Sequence, residues 1–399
     1  MFELLHPLPP DPILGLNAAF KADTNSKKVD LGIGVYKDEE GNTPVMKAVK
    51  EAEKRILTSQ ATKAYIGPTG APAYNEAVAE LILGPALKTS LGGRRITMQT
   101  PGGCGGLRIA AEFIAQANGG ATIWVSDPTW ANHKPLIGSS GLKFNSYPYY
   151  NYETHSVDFD SMMTTLAHVP KGDVVLLHGC CHNPSGADLT PDQWQSIRDL
   201  ALKQNFTIFI DLAYQGMGDG LEDDVIGVRL LAESVPELII VSSCSKNFGL
   251  YRERTGAITL ICQNEREASA ASTLIAAAAR ANYSMPPDHG AAIVQLIRED
   301  PTLNLMWQEE LKEIRNRING LRITFANRLT ESGAQHDFSF IQKEKGMFSF
   351  LGITKNQIQK LINEYAIYLV DSSRINVASI NDGNINYVTN SIVEVISKE

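Results

Sequence analysis

The 399-residue chain has no apolar run approaching the ~18 residues that a membrane-spanning helix needs. Cysteine is scarce. Cys104, Cys180, Cys181, Cys244 and Cys262 make an odd set with one adjacent pair and no CxxC spacing. That pattern gives no disulfide framework and fits a reducing, cytoplasmic setting. Charge is not blocked: 36 Lys and Arg are scattered among 44 Asp and Glu, for a net charge of −8. Nucleic acid and anionic membrane both reward basic patches, so neither is expected as the main partner, whereas one local positive pocket can still hold a small anion. Internal repeats and low-complexity linkers are lacking. The start, "MFELLHPLPPDP", has no basic stretch ahead of an apolar run, so no signal peptide is expected. Two common phosphate-loop signatures are missing as well. No GK[ST] follows "PGGCGG", and the Gly103–Gly105 spacing meets Arg108 where GxGxxG needs its third glycine.

What is present reads as a globular chain, 43% hydrophobic and 20% charged, long enough for two or three domains. In the middle, short apolar runs alternate with helical stretches. "ATIWVSD" (121–127), "VVLLHG" (174–179), "TIFID" (207–211) and "LIIVSS" (238–243) read as strands. "TPDQWQSIRDLALKQ" reads as a helix, with Thr190 and Gln193 as a capping box and Pro191 in its first turn. Another helix is expected near 225–234, and the Ala-rich "ASAASTLIAAAARANYS" predicts a further one. Continuous apolar strands alternating with helices predict an α/β fold, with a parallel sheet covered on both faces. From about 310 the character changes. A long helix over 302–332 leads to "FSFIQKEKGMFSFLG", which reads as two strands around a Lys-Glu-Lys-Gly turn. The capped helix "TKNQIQKLINEY" follows, and two short strands flank "DSSR". This predicts a smaller α+β domain over 310–399. A large α/β domain occupies 46–309, and 1–45 forms an N-terminal arm and part of the small domain.

Ligands of open parallel sheets bind at the carboxyl ends of the strands. The polar residues just past each run are therefore expected to converge: Asp127 and Trp130, Asn183 and Pro184, Asp211 and Tyr214, then Ser243, Ser245 and Lys246. "QTPGGCGGLRIAAEF" adds a glycine-rich turn opening a helix, a placement suited to phosphate. Pyridoxal 5'-phosphate needs this combination. Its aldehyde condenses with a lysine, its ring nitrogen stays protonated beside a carboxylate, its ring stacks on an aromatic face, and its phosphate takes a helix start, hydroxyls and an arginine. Lys246, Asp211, Trp130, the Gly103 turn, Ser243, Ser245 and Arg254 fill those roles. Each has an ordinary reading when taken alone. Lysine after a strand is usually a solvated residue, Asp211 can be a turn former, Trp130 a core residue, Arg254 a weak surface ion pair, and His133 a structural histidine. "HGCCH" (178–182) invites a metal reading through His178, Cys180, Cys181 and His182, but alternate side chains of a strand point opposite ways. Packing accounts better for both cysteines, and no metal is expected.

"SSCSKNFGLYRERTGA", "HGCCHNPSG", "DLAYQG", "DPTWANHK", "LGIGVYKDEEGNTPV", "RANYSMPP" and "SSRINVA" together resemble the motifs of class I aspartate/aromatic aminotransferases, in that family's order and across nearly the whole chain. The resemblance implies a fold-type I pyridoxal-phosphate enzyme and a homodimer with shared active sites. It implies that Lys246 takes the cofactor's aldehyde and later moves a proton between the substrate α-carbon and the cofactor. Asp211, supported by His133, would pair with the ring nitrogen, Tyr214 and Asn183 would hold the phenolic oxygen, and Trp130 would stack on the ring. Ser243, Ser245, Arg254 and the Gly103–Cys104 turn would hold the phosphate, with Tyr65 reaching it from the partner subunit. Arg374 would bind the substrate α-carboxylate together with Gly34, Trp130 and Asn183. Arg280, from the partner, would pair with a side-chain carboxylate.

The implied reaction moves the amino group of L-aspartate to 2-oxoglutarate in two half-reactions. Arg280, Val35, Lys37 and Thr43 match the aspartate-type members. Ala64, Cys104 and Met285 depart from them, standing where Asn, Thr or Ser, and Asn are usual. An aromatic or dual-specificity aminotransferase is therefore the alternative, beside a β-decarboxylase or lyase and a non-catalytic scaffold.

Overall fold

A computed structural model describes residues 2–7 and 12–397, which form two compact units. One comprises 44–183 and 187–317. The other comprises the N-terminal segment to Thr43, Pro184–Gly186 and Ile318 onward. The long helix Pro301–Glu331 crosses the division at 317/318. Among the described residues, no helix is long and apolar enough to cross a membrane.

The larger unit is built on a seven-stranded sheet. Its strands lie in the order Arg95–Pro101, Thr255–Ile261, Leu238–Ser243, Thr207–Leu212, Val174–His178, Thr122–Asp127 and Lys143–Pro148. Thr255–Ile261 alone runs against its neighbours. The sheet is therefore mostly parallel, as the alternating pattern predicts. Leu238–Ser243 and Thr255–Ile261 are buried at every position. Ile239, Val241, Ile258 and Leu260 pack with Leu107, Ile114 and Ile275 in one core. Ile240 and Ile261, which point the other way, are equally buried, so both faces are covered. Helices flank the sheet: Gly102–Ala117, Ile226–Ser234, the Ala-rich Glu265–Asn282, and Pro191–Gln204 with both bonds of its Thr190–Gln193 capping box formed.

The smaller unit has its own core, with Phe325, Leu329, Ile341, Leu351, Ile358, Ile375, Val388 and Ile392. Val29–Asp30 pairs in parallel with Ile367–Tyr368, and Phe348–Phe350 pairs antiparallel with Arg374–Asn376. Thr354 and Gln357 make a second capping box at the start of Lys355–Tyr365. The sequence expectation of two strands around the Lys-Glu-Lys-Gly turn is half corrected. Phe348–Phe350 is a strand, but Ser339–Gln342 is a short 3-10 helix. Asp337 accepts from the Ser339 amide and hydroxyl, which turns the chain, and Phe340 and Ile341 are buried in succession rather than alternately.

Candidate active site

Register brings the polar residues of the larger unit together. His178 lies opposite Asp211, Asp211 opposite Val241, and Gly256 opposite Ser243, so these strand ends form one edge. Thr255 is paired with Pro101. Because its strand runs in reverse, the start of that strand returns Arg254 to the same edge, next to the first turn of Gly102–Ala117. A β-carbon on Gly102, whose φ is +69°, would stand 2.7 Å from an Arg254 guanidinium nitrogen, and one on Gly103 would stand 3.3 Å from the Ser243 β-carbon. Glycine alone allows that approach. The result is a cradle of helix-start N–H groups, guanidinium and hydroxyl, a natural anion site. Ser243 Oγ also accepts from the Ser245 amide at 3.2 Å.

Lys246 lies in the turn after Leu238–Ser243, with Nζ 4.9 Å from the centre of the Tyr214 ring. Burial lowers the pKa of its ammonium. The nearby Asp211 carboxylate and Cys104 oppose that, and the Arg254 cation adds to it. Asp211 is buried, which raises its pKa, but the hydrogen bond from His133 and the charges around it outweigh burial, so its net shift is downward and it stays a carboxylate. Burial raises the pKa of the Cys104 thiol despite Arg254 and Lys246, so at neutral pH it is a protonated thiol. Trp130 packs edge-on against His133, ring centres 5.3 Å apart.

Behind Asp211 runs a chain of hydrogen bonds that sequence reading missed. The Asn183 amide can only donate, and it donates to His178 Nδ1 at 3.3 Å. Burial and the neighbouring His133 push His178 down to about 3, so the ring is neutral and carries its hydrogen on Nε2. Nε2 then donates to Thr129 Oγ at 3.2 Å, Thr129 Oγ is hydrogen-bonded to His133 Nδ1 at 2.8 Å, and His133 Nε2 donates to the Asp211 carboxylate at 3.0 Å. Because an ionised carboxylate can only accept, the chain ends with an N–H presented to Asp211. The four-residue spacing of Thr129 and His133 was visible in sequence. His178 was read there as a metal candidate, and its true partners are set by strand register. Among the described residues, the atoms of Cys180, Cys181 and Asp224 lie within 4.8 Å of one another, without either histidine. The Asp224 carboxylate is already taken up by the amides of Gly216, Gly218, Asp219 and Gly220.

Arg374 and Gly34 belong to the smaller unit. Arg374 is buried, donates to the Gly32 carbonyl at 2.7 Å, and has its guanidinium 4.3 Å from the centre of the Phe348 ring. A β-carbon on Gly34 would stand 3.1 Å from that ring. Asn376 donates to the carbonyls of Ile33 and Val35, fixing this backbone. Tyr65 and Arg280 are not gathered in. Tyr65 is 91% exposed, and Arg280, near the end of Glu265–Asn282, is exposed with its guanidinium on the Ser284 hydroxyl.

Residues 26–392 match the model of the family "Aminotransferase class I and II". The aspartate aminotransferases of Haemophilus influenzae and Escherichia coli are each 46% identical to the chain over 396 residues, covering 99% of it and all of each relative. The aromatic-amino-acid aminotransferase of Paracoccus denitrificans is 45% identical over 395 residues, with 99% and 100% covered. Among solved structures, the Burkholderia pseudomallei aromatic-amino-acid aminotransferase, covalently bound to pyridoxal phosphate, superposes with a TM-score of 0.97 at 40% identity, covering 99% of both chains. With a mostly parallel sheet carrying a lysine, a buried carboxylate and an anion cradle on one edge, the chain belongs to the class I and II aminotransferases.

Proposed function

We propose that the protein is a pyridoxal-phosphate-dependent aspartate aminotransferase, carrying the amino group of L-aspartate to 2-oxoglutarate by a ping-pong sequence. One observation carries the reading: the buried Lys246, with its lowered pKa, is within electrostatic reach of both an ionised Asp211 and Arg254, whose guanidinium meets the Gly102 helix start. The residues fit the cofactor, since glycine at 102 and 103 lets the Arg254 guanidinium and Ser243 close on the helix start and gather the donors that a phosphate needs. When bound, pyridoxal phosphate supplies the electron sink that makes the substrate α-proton removable.

The protein's own groups do the rest. The Gly103–Cys104 turn, Ser243, Ser245 and Arg254 bind the phosphate. Asp211, kept anionic by His133, holds the proton on the ring nitrogen. Tyr214 and Asn183 fix the phenolic oxygen, and Trp130 covers the ring. Lys246 Nζ accepts the proton from the substrate α-carbon, and its lowered pKa raises the neutral fraction able to do so. Arg374, with Gly34 in the same unit, takes the α-carboxylate in bidentate fashion.

We further propose a homodimer in which Tyr65 and Arg280 serve the partner's site. Their exposure in the single chain supports this, as does the resemblance that assigns them there. Free cysteines and the lack of a spanning helix among the described residues support a cytoplasmic location.

Single-turnover absorbance tests the substrate assignment. The holoenzyme is mixed separately with L-aspartate and L-phenylalanine, and loss of the cofactor's yellow absorbance is followed. Aspartate is expected to react at least about tenfold faster, a difference of about 1.4 kcal/mol in barrier. Equal rates would move the assignment to the aromatic or dual-specificity reading. No reaction with either amino acid would remove it.

A further inference from the structure

Arg322 is the largest charged side chain fully enclosed in the smaller unit, at 1% exposure. It projects from Pro301–Glu331 into the loop that leads to the strand Phe348–Phe350. Its Nε donates to the Gly346 carbonyl at 3.1 Å. Nη1 donates to the Ile341 carbonyl at 3.0 Å and the Ser349 hydroxyl at 2.6 Å. Nη2 donates to the carbonyls of Lys345, Gly346 and Phe348, at 3.2, 2.7 and 2.5 Å. The Glu344 carboxylate lies 3.6 Å from Nη1 and accepts from the Ser349 hydroxyl. A buried guanidinium is costly unless its hydrogen bonds are complete, and these six all go to a single loop.

That loop has a second fastening. The Lys345 amide donates to the Gly186 carbonyl at 2.7 Å, and a β-carbon on Gly186 would stand 2.4 Å from the Phe348 carbonyl oxygen. Both fastenings converge on Phe348, whose ring lies on the Arg374 guanidinium and against Gly34. We propose that Arg322 is a positioning residue for substrate recognition: through the 341–349 loop it fixes the Phe348 ring, which fixes the plane in which Arg374 presents its donors to the carboxylate. The inference rests on the proposed reading of Arg374 as the carboxylate-binding arginine.

The test uses the holoenzyme and succinate, a dicarboxylate without an amino group, with calorimetry giving its Kd. Steady-state KM and kcat for aspartate and 2-oxoglutarate are measured alongside. Arg322→Lys keeps the charge but cannot span the loop. It is expected to weaken succinate binding and raise both KM values about tenfold, as for a residue coupled to a site through packing, with kcat near wild type. Phe348→Leu should do the same, and the double variant should be no worse than either single, since both act through one ring. Lower kcat or a smaller active fraction with unchanged succinate affinity would overturn the proposal, as would additive effects in the double variant. If Arg322→Lys does not fold, Ser349→Ala, which removes one Arg322 acceptor, takes its place in the cycle with the same criteria. Arg374→Lys separates the two levels. If it leaves succinate binding intact, the reading of Arg374 fails. If it abolishes binding while the Arg322 and Phe348 variants bind normally, only the positioning role fails.

Discussion

The two units place their functional groups by different means. In the larger one, Asp211, Ser243, Lys246 and the Gly102 turn sit at the ends of adjacent strands, so sheet register alone lines them up. In the smaller one, Phe348 and Arg374 share only a short two-stranded ladder, and Gly34 comes from a segment far away in the chain. Buried polar side chains that reach across to backbone carbonyls complete the hold: Arg322, Asn376 and Arg374 itself. A ladder of backbone hydrogen bonds serves every residue on it, whereas a side-chain fastening serves one loop. The chemistry is thus mounted on the element hardest to perturb, and the group proposed for recognition on one that a single buried substitution can shift.

The largest effect expected is at the chemical edge. Lys246→Ala should lower turnover at least about 10⁴-fold, the upper range for losing a general acid–base group. Arg280→Ala should lower kcat/KM for aspartate about a hundredfold, as for a lost charge-assisted hydrogen bond pair. Co-expressing the two variants sharpens the contrast. With shared sites, half of the dimers are mixed and each holds one intact site, so about a quarter of wild-type activity should return. No recovery in isolated mixed dimers would show that each chain completes its own site.

A smaller effect comes from His178. Its folded pKa is depressed to about 3 from an ordinary 6.5, so the unfolded chain takes up a proton first as pH falls. Its contribution to stability is therefore full above 6.5 and is lost as pH drops toward 3, by up to about 1.4 kcal/mol per pH unit. Denaturation of wild type and His178→Gln between pH 7 and 4 should show a flatter slope for the variant. Parallel slopes would mean that the ring is not held neutral.

The smallest effect compares the capping boxes, one in each unit. Thr190→Ala and Thr354→Ala should each cost about 1 kcal/mol. Catalysis should be unaltered by both, because neither helix start touches the groups around Lys246 or Arg374. A kcat or KM change with Thr354→Ala alone would mean that the smaller unit's site is looser than its fastenings suggest.

Much was legible in the sequence where pattern and local chemistry coincide. The apolar runs at 174, 207 and 238, the Ala-rich helix, both capping boxes and the Lys246, Asp211 and Arg254 motifs needed only spacing and residue type. The stretch "FSFIQ" misled, because its alternation is that of a strand while Asp337 turns the chain and Arg322 takes the Ile341 carbonyl. Thr129 was passed over and His178 was weighed only as a metal ligand, because their meaning lies in a partner 49 residues away across adjacent strands.

By itself, the sequence determined the family, through motifs that resemble it, together with the α/β class and the cofactor, since these are carried by residue types at short spacings. Tertiary structure alone decided which strand runs in reverse to bring Arg254 beside Gly102, how hydrogen bonds link Asn183 to Asp211, and that a buried arginine on a long helix fastens the loop whose Phe348 ring lies on Arg374. Those are contacts between residues distant in the chain. No local pattern encodes them, because their geometry exists only once the sheet has its register and the cores have closed.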